Sequence, residues 1–63
     1  MPFIDVKIFD ERLTPATEQD LVHALTDAVA GVLGEQARPQ TWVVLDGTPA
    51  RRWGIGGELG EAK

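Results

Sequence analysis

The chain has 63 residues and a net charge of −4, with no cysteine and 43% apolar residues. A chain this short makes at most one small domain, whose core is marginal without disulfides, a metal or association. The lack of cysteine excludes disulfides, and there is no Cys/His cluster for a structural zinc. We therefore expect a single domain, residues 1–63, that gains stability by forming a homo-oligomer.

Charge and hydropathy also limit the partners of the chain. An acidic chain with scattered cations lacks the basic face that phosphate binding requires, so we expect no nucleic acid partner. We recognise no signal peptide, and no run of about 18 apolar residues could cross a membrane. The expected location is the cytoplasm, with no membrane partner.

Residues 3–9 predict the first strand, because Ile4, Val6 and Ile8 alternate with the residues of a second face. The second face is also partly apolar, and we expect another subunit to cover part of it. Residues 10–13 are predicted to form a connector.

Residues 15–33 predict a long helix. Thr14 suits the N-cap, Pro15 suits the first helical position, and Gly34 supplies the C-terminal stop. The apolar residues fall on one stripe, which predicts packing against one sheet; they are Leu21, Leu25, Ala28, Val29 and Val32.

Residues 35–39 are predicted to form a polar loop, in which Pro39 biases Arg38 towards an extended conformation. Residues 40–46 then predict a second strand. A strand, a helix and a strand in this order indicate an α/β fold with parallel strands and a right-handed crossover.

The C-terminal region is rich in glycine. After a predicted turn at residues 47–49, the four glycines among residues 54–60 suit a tight hairpin. The Gly-Ile-Gly-Gly run lacks the spacing, lysine and following helix of a phosphate-binding loop. Residues 61–63 are predicted to be a frayed end.

Pro2 is the first candidate catalytic residue. If Met1 is removed, Pro2 carries a free secondary amine, which is the group expected to titrate near neutral pH in this sequence. The one histidine, His23, lies opposite the apolar stripe of the helix and is expected to be a solvated surface residue without a metal partner. We expect no metal site and no cofactor.

Arginines and a tryptophan are the candidate binding residues. Arg12, Arg51 and Arg52 present planar guanidinium groups suited to binding a carboxylate, and Trp53 offers a flat apolar wall beside them. A surface arginine is by itself usually a solvated residue, but in combination with Pro2 these positions become candidates for binding a small-molecule carboxylic acid.

Three features of the sequence stand out: it begins Met1-Pro2, it carries Arg12 ten positions after Pro2, and its residues 53–59 read Trp-Gly-Ile-Gly-Gly-Glu-Leu. With these features and its length of 63 residues, the chain resembles the 4-oxalocrotonate tautomerase family. The resemblance implies a β-α-β protomer with a C-terminal β-hairpin, usually assembled as a hexamer of three dimers. It also implies a cofactor-free keto-enol tautomerase that acts on a 2-hydroxydienoate or enol-pyruvate type acid. In that reaction the processed Pro2 is the general base, Arg12 binds a substrate carboxylate, and Trp53 forms the hydrophobic wall.

The chain departs from the family at one position. Alignment from the Gly-Ile-Gly-Gly run places Trp42 where the family has its second carboxylate-binding arginine. The indole N–H can donate one hydrogen bond, and Arg38, Arg51 or Arg52 are the candidates to compensate. A monocarboxylate or an aryl enol-pyruvate is therefore an alternative to a doubly carboxylated substrate.

Two other functions stay open at the level of sequence. One is a hydratase or dehalogenase of an unsaturated acid, in which protonated Pro2 acts as an acid and Glu58 is the candidate carboxylate to activate water. The other is a non-catalytic subunit of a mixed assembly, because the nitrogen of Pro2 is an amide if Met1 remains and Trp42 replaces the expected arginine.

Overall fold

A computed structural model describes residues 1–60, and the predicted frayed end at residues 61–63 lies outside them. The elements in chain order are β1 Phe3–Phe9, a first 3-10 helix Asp10–Arg12, α1 Pro15–Leu33, a second 3-10 helix Glu35–Gln40, β2 Trp42–Thr48, a third 3-10 helix Ala50–Arg52, β3 Gly54–Ile55 and β4 Glu58–Leu59. β1 and β2 pair in parallel, while β3 and β4 form an antiparallel hairpin. The predicted β-α-β unit with a C-terminal hairpin is confirmed.

Helix α1 has the predicted bounds because both of its ends are capped by local groups. The Thr14 hydroxyl accepts a hydrogen bond from the Thr17 N–H at 3.1 Å, and the Thr17 hydroxyl accepts one from the Thr14 N–H at 2.8 Å. At the other end Gly34 has φ of +102°, and its N–H donates to the Ala30 carbonyl at 2.9 Å. None of the helices among residues 1–60 is long and apolar enough to cross a membrane.

The segment between α1 and β2 differs from the prediction. Residues 35–39 were expected to be a loop with Arg38 extended, but they belong to the 3-10 helix Glu35–Gln40. Backbone hydrogen bonds hold this turn, from the Ala37 N–H to the Gly34 carbonyl at 3.0 Å and from the Thr41 N–H to the Arg38 carbonyl at 3.2 Å. Arg38 also forms surface ion pairs with Asp27 and Glu35.

Strand β2 is shifted by two residues from the predicted range 40–46. At its start, the Thr41 N–H donates to the Arg38 carbonyl at 3.2 Å, and its hydroxyl donates to the Ala37 carbonyl at 2.8 Å, so Thr41 still belongs to the preceding turn. At its end, pairing with β1 continues to Thr48, which lies opposite Phe9. The predicted turn at 47–49 is therefore wrong at its first two positions.

The C-terminal hairpin turns at Gly56 and Gly57, whose φ angles are +61° and +89°. Two successive residues with positive φ match the twist of a two-residue hairpin turn, which explains the glycine pair. Among residues 1–60, the hairpin meets the third 3-10 helix and little else. Its apolar residues Ile55 and Leu59 are exposed.

The predicted apolar stripe of α1 is only partly covered. Leu21, Leu25 and Val29 are half-buried, whereas Ala28 is exposed and Val32 is 84% exposed. The sheet shows the same incompleteness, because its outer face leaves large apolar side chains in solvent; they are Phe3, Trp42 and Val44. Within residues 1–60, the buried apolar residues are two alanines, Ala30 and Ala50.

The chain is also long and thin, with extents of 43 × 24 × 13 Å. Its radius of gyration is 14.2 Å, whereas a compact domain of this length has about 11 Å. A chain that buries so little apolar surface by itself needs additional cover to be stable.

Candidate active site

Pro2 lies just before β1, at the edge of the sheet where both parallel strands begin. Its carbonyl accepts a hydrogen bond from the Trp42 N–H at 3.0 Å, which ties the start of β1 to the start of β2. Met1, which precedes it, is 75% exposed, and Pro2 itself is half-buried. The position of Pro2 is thus fixed by the sheet.

Pro2 also lines a groove between β1 and the second half of α1, which we call the Pro2 groove. The groove has a volume of about 380 Å³. All of its lining residues are apolar, namely Pro2, Ile4, Leu25, Ala28, Val29, Val32 and Leu33. A group that enters this groove leaves water for a hydrocarbon surface.

Arg12 lies at the opposite end of β1. It belongs to the 3-10 helix that follows the strand, and the seven residues of β1 at about 3.3 Å each separate it from Pro2 by about 23 Å. It lines a second groove of about 430 Å³, the Arg12 groove, formed by Ile8, Arg12, Leu13, Thr17, Asp20, Leu21 and Ala24. Within one chain the predicted base and carboxylate anchor do not meet.

The other predicted binding residues at this end come from the segment after β2. Arg51 and Arg52 are exposed on the third 3-10 helix. Because parallel strands end at the same edge of a sheet, these arginines lie at the same end of the fold as Arg12. In the described part of the chain none of the three forms an ion pair.

Trp53 is held in place by its own chain. Its Nε1–H donates to the Thr48 carbonyl at 3.0 Å, and its ring meets Phe9 edge-on with centroids 4.9 Å apart at 75°. These contacts fix a half-buried indole beside Arg51 and Arg52, with part of its surface left accessible.

Arg38 and Trp42 lie at the Pro2 end of the fold. The Arg38 guanidinium donates to Asp27 at 2.6 Å and to the two carboxylate oxygens of Glu35 at 3.0 and 3.1 Å. These bonds hold the pKa of both carboxyls below their ordinary values and raise the pKa of Arg38 further. The Arg38 side chain is therefore already engaged by two carboxylates of its own chain.

Trp42 stands opposite Phe3 in the register of the sheet, and both side chains are more than half exposed. They form an apolar surface on the outer face of the sheet, next to the backbone of Pro2. No guanidinium lies at this strand position, so Trp42 gives the Pro2 end an aromatic surface instead of a cation.

Glu11 is a residue with a structural role that sequence reasoning missed. Its carboxylate accepts hydrogen bonds from the Ala50 N–H at 3.1 and 3.3 Å, which link the turn after β1 to the turn after β2. Gly47 permits this approach, because a Cβ there would lie 2.7 Å from Oδ1 of Asp10. Glu11 and Ala50 are 39 positions apart, so no local pattern signals their contact.

Two remaining candidates lie apart from both grooves. His23 is exposed on α1, with Nε2 at 3.3 Å from Oδ2 of Asp27. Glu58 is exposed on the hairpin, opposite Ile55. Among residues 1–60, no cluster of three or more His, Asp or Glu side chains could hold a metal ion.

Comparison with known proteins identifies the class. The family model described as "Tautomerase enzyme" matches residues 2–63, beginning at Pro2. A relative named "Probable tautomerase K2", from Dickeya dadantii (strain 3937), is 31% identical over 58 residues, covering 92% of this chain and 85% of the relative. No solved structure matches the chain significantly.

The fold and these matches define a tautomerase-type isomerase. The chain belongs to the tautomerase family, and the resemblance seen in its sequence is confirmed at that level.

Proposed function

We propose that the protein is a cofactor-free keto-enol tautomerase of a 2-hydroxydienoate or enol-pyruvate type acid, with Pro2 as the general base after removal of Met1. The observation that carries this proposal is the place of Pro2, fixed at the start of the sheet and lining an apolar groove. The family match, which begins at Pro2, supports it. A cytoplasmic location belongs to the same proposal.

The chemistry needs one proton to move between two atoms of the substrate. The neutral amine of Pro2 accepts the proton of the enol hydroxyl, and the resulting ammonium returns a proton to a carbon of the conjugated chain, which leaves the ketone. An α-amine has a reference pKa near 8, and apolar surroundings lower the pKa because they disfavour the cation. A base with a pKa near neutrality suits this exchange.

Arg12 is proposed to bind the substrate carboxylate, and the Arg12 that serves Pro2 is proposed to come from another copy of the chain. The separation of about 23 Å along β1 favours this arrangement over a site within one chain. A guanidinium there also stabilises the negative charge that develops on the enolate oxygen. Trp53, Arg51 and Arg52 would come with Arg12, since they lie at the same end of the fold.

We also propose a homo-oligomer, which the same geometry supports, and a hexamer, which the resemblance to the family implies. Among the described strands, β1 pairs only with β2, so one of its edges is open. Both grooves lie between β1 and α1. Two copies joined at this open edge by a two-fold axis perpendicular to the strands would run antiparallel and would place the Pro2 groove of one copy beside the Arg12 groove of the other.

The test combines intact mass with an assay of enol-to-ketone conversion by ultraviolet absorbance. The purified protein should lack the mass of one methionine and should catalyse the conversion. A variant with one residue inserted between Met1 and Pro2 turns the base into an amide, and its rate should fall by about 10²–10⁴-fold. An unchanged rate in that variant, or activity in protein that retains Met1, would contradict the role of Pro2.

A hydratase is a second candidate because Asp20 lines the Arg12 groove and could activate water. In this reaction protonated Pro2 would donate a proton to an unsaturated acid while Asp20 accepts one from water. If the parent releases halide from a 3-haloacrylate and Asp20→Asn does not, the hydratase is favoured. If the parent releases no halide and Asp20→Asn keeps its tautomerase activity, the tautomerase is favoured.

A further inference from the structure

Thr17 makes a contact with Arg12 that the cap of a helix does not require. It belongs to the first turn of α1 and lines the Arg12 groove together with Arg12. Its hydroxyl donates to the Arg12 carbonyl at 3.2 Å, across five positions of the chain. The same hydroxyl accepts a hydrogen bond from the Thr14 N–H at 2.8 Å, so one oxygen joins the start of α1 to the backbone of Arg12.

The Arg12 carbonyl needs a side-chain donor because of the proline at the start of α1. Arg12 is the last residue of a 3-10 helix, in which each carbonyl bonds to the N–H three positions further on. The residue at that position is Pro15, which has no N–H. The hydroxyl of Thr17 supplies the hydrogen bond that the backbone cannot make there.

Two other acceptors lie within reach of the Thr17 proton, and both have other hydrogen bonds. The Thr14 carbonyl, also at 3.2 Å, already accepts the Glu18 N–H at 2.8 Å. The Thr14 hydroxyl, at 3.1 Å, can donate to Thr17 instead of accepting from it. With its proton on the Arg12 carbonyl, the Thr17 oxygen accepts two bonds and donates one, which is the full capacity of a hydroxyl.

Two further links in this turn fix the neighbours of Arg12. The Leu13 N–H donates to the Asp10 carbonyl at 3.0 Å. The carboxylate of Glu11 accepts a hydrogen bond from the Ala50 N–H. No ion pair orients the Arg12 guanidinium within residues 1–60, so the position of its backbone limits where the guanidinium can reach.

We propose that Thr17 is a positioning residue for Arg12, which holds the backbone of Arg12 so that its guanidinium meets the substrate carboxylate in one orientation. This inference rests on the proposed function, in which Arg12 binds that carboxylate. A bidentate contact depends on orientation, because two N–H groups must align with the plane of the carboxylate. Loss of the hydroxyl keeps the charge of Arg12 but loosens this alignment, so it weakens binding without removing the anchor.

Three variants separate this role from that of the helix cap. Thr17→Val keeps the shape and removes the hydroxyl, and Thr17→Ser keeps the hydroxyl. Thr14→Ala removes the oxygen that accepts the Thr17 N–H and leaves the bond to Arg12 in place. With an enol-pyruvate substrate, KM should rise about fivefold in Thr17→Val, the equivalent of one ordinary hydrogen bond, while kcat changes little.

The KM of Thr17→Ser and of Thr14→Ala should stay near that of the parent, although Thr14→Ala loses its part of the cap. A KM that does not rise in Thr17→Val, or that rises equally in Thr14→Ala, overturns the inference.

A double-mutant cycle tests whether Thr17 acts through Arg12. In protein that already carries Arg12→Ala, Thr17→Val should leave kcat/KM unchanged, because the group that Thr17 positions is gone. If Thr17→Val lowers kcat/KM by the same factor with and without Arg12, Thr17 acts on the fold or on the substrate by itself, and the inference is overturned. Thr17→Ala repeats the cycle with a residue that favours the helix, so that a fold weakened by valine does not decide the result.

Failure of the inference and failure of the proposed function give different results. If the parent converts the enol only at the rate in buffer, the proposed function fails and the inference falls with it. If the parent is active and its KM equals that of Thr17→Val, the inference alone fails.

Discussion

The Pro2 end and the Arg12 end of the sheet are built from the same two strands but differ in almost every property. The Pro2 end has an apolar groove, an exposed indole at Trp42 and a guanidinium engaged by two carboxylates. The other end has Arg12, Arg51 and Arg52 around the fixed indole of Trp53.

Under the proposed function, this difference means that one chain contains both halves of the site without completing it. A base without an anchor cannot orient an enol acid, and an anchor without a base cannot move its proton. Association of copies would solve two problems together, since it would cover exposed apolar surface and join the two ends. The predictions below change one end at a time.

The largest effect is expected from Arg12→Ala. Loss of the guanidinium should lower kcat/KM by about 100-fold, mainly through KM, because a bidentate charged contact to the carboxylate is lost. The kcat/KM of Arg12→Lys should lie between that of the parent and that of Arg12→Ala, since lysine keeps the charge but lacks the planar fork. Steady-state kinetics on an enol-pyruvate substrate measure both variants, and equal KM values in all three proteins would contradict the role of Arg12.

Trp53→Ala should destabilise the Arg12 end by about 2–3 kcal/mol, because a half-buried indole and its contact with Phe9 are lost. Trp53→Phe keeps the ring and loses the hydrogen bond to Thr48, so it should cost about 1 kcal/mol. Urea unfolding at one fixed protein concentration measures the difference. Equal losses in the two variants would mean that the ring contributes nothing beyond its N–H.

Glu11→Ala should lower the free energy of unfolding by about 1–2 kcal/mol, because the part-buried Ala50 N–H loses its acceptor. Glu11→Gln keeps an acceptor oxygen and should cost less. The turn that carries Arg51 and Arg52 would loosen, so KM should rise in Glu11→Ala while kcat changes little. An unchanged KM would show that this link does not position the arginines.

The smallest effect is expected at the Pro2 end, from Arg38→Gln. Folding depresses the pKa of Asp27 and of Glu35, mainly through their hydrogen bonds to Arg38. Such carboxyls stabilise the folded state above their unfolded pKa, near 4, and this stabilisation is lost as the pH falls through the folded pKa. The Tm of the parent should therefore exceed that of Arg38→Gln at pH 7, and the two should converge once the pH has fallen below the depressed pKa of both carboxyls.

Thermal melts from pH 7 to pH 2.5 measure this convergence, with Gln36→Ala as a neighbouring variant that leaves the ion pairs in place. A Tm difference between the parent and Arg38→Gln that stays constant over the whole range would contradict the assignment.

Much of the fold follows from local signals in the sequence. Thr14, Pro15 and Gly34 set the bounds of α1, and alternation sets those of β1. The start of β2 could not be found this way, because Thr41 is held in the preceding turn by bonds that local propensity does not reveal.

The residues proposed for the site can be named from the sequence, but their arrangement cannot. Pro2 and Arg12 stand out by residue type and by resemblance to a family. The engagement of Arg38 depends on Asp27, which is 11 positions away on another element, so the sequence alone left Arg38 open as a substitute anchor. The arrangement of the site is also hard to predict because the chain buries so little of its own apolar surface, which leaves that surface available for contacts with other copies of the chain.

Mixing two inactive chains is the most direct test of a site shared between copies. One carries the residue inserted before Pro2 and the other carries Arg12→Ala, and the two are unfolded together and refolded. If the Arg12 of one copy completes the Pro2 site of another, mixed assemblies should regain enol-to-ketone activity well above that of either chain refolded alone. Activity that stays at the sum of the separately refolded chains would show that one chain must supply both residues, and would contradict a site shared between copies.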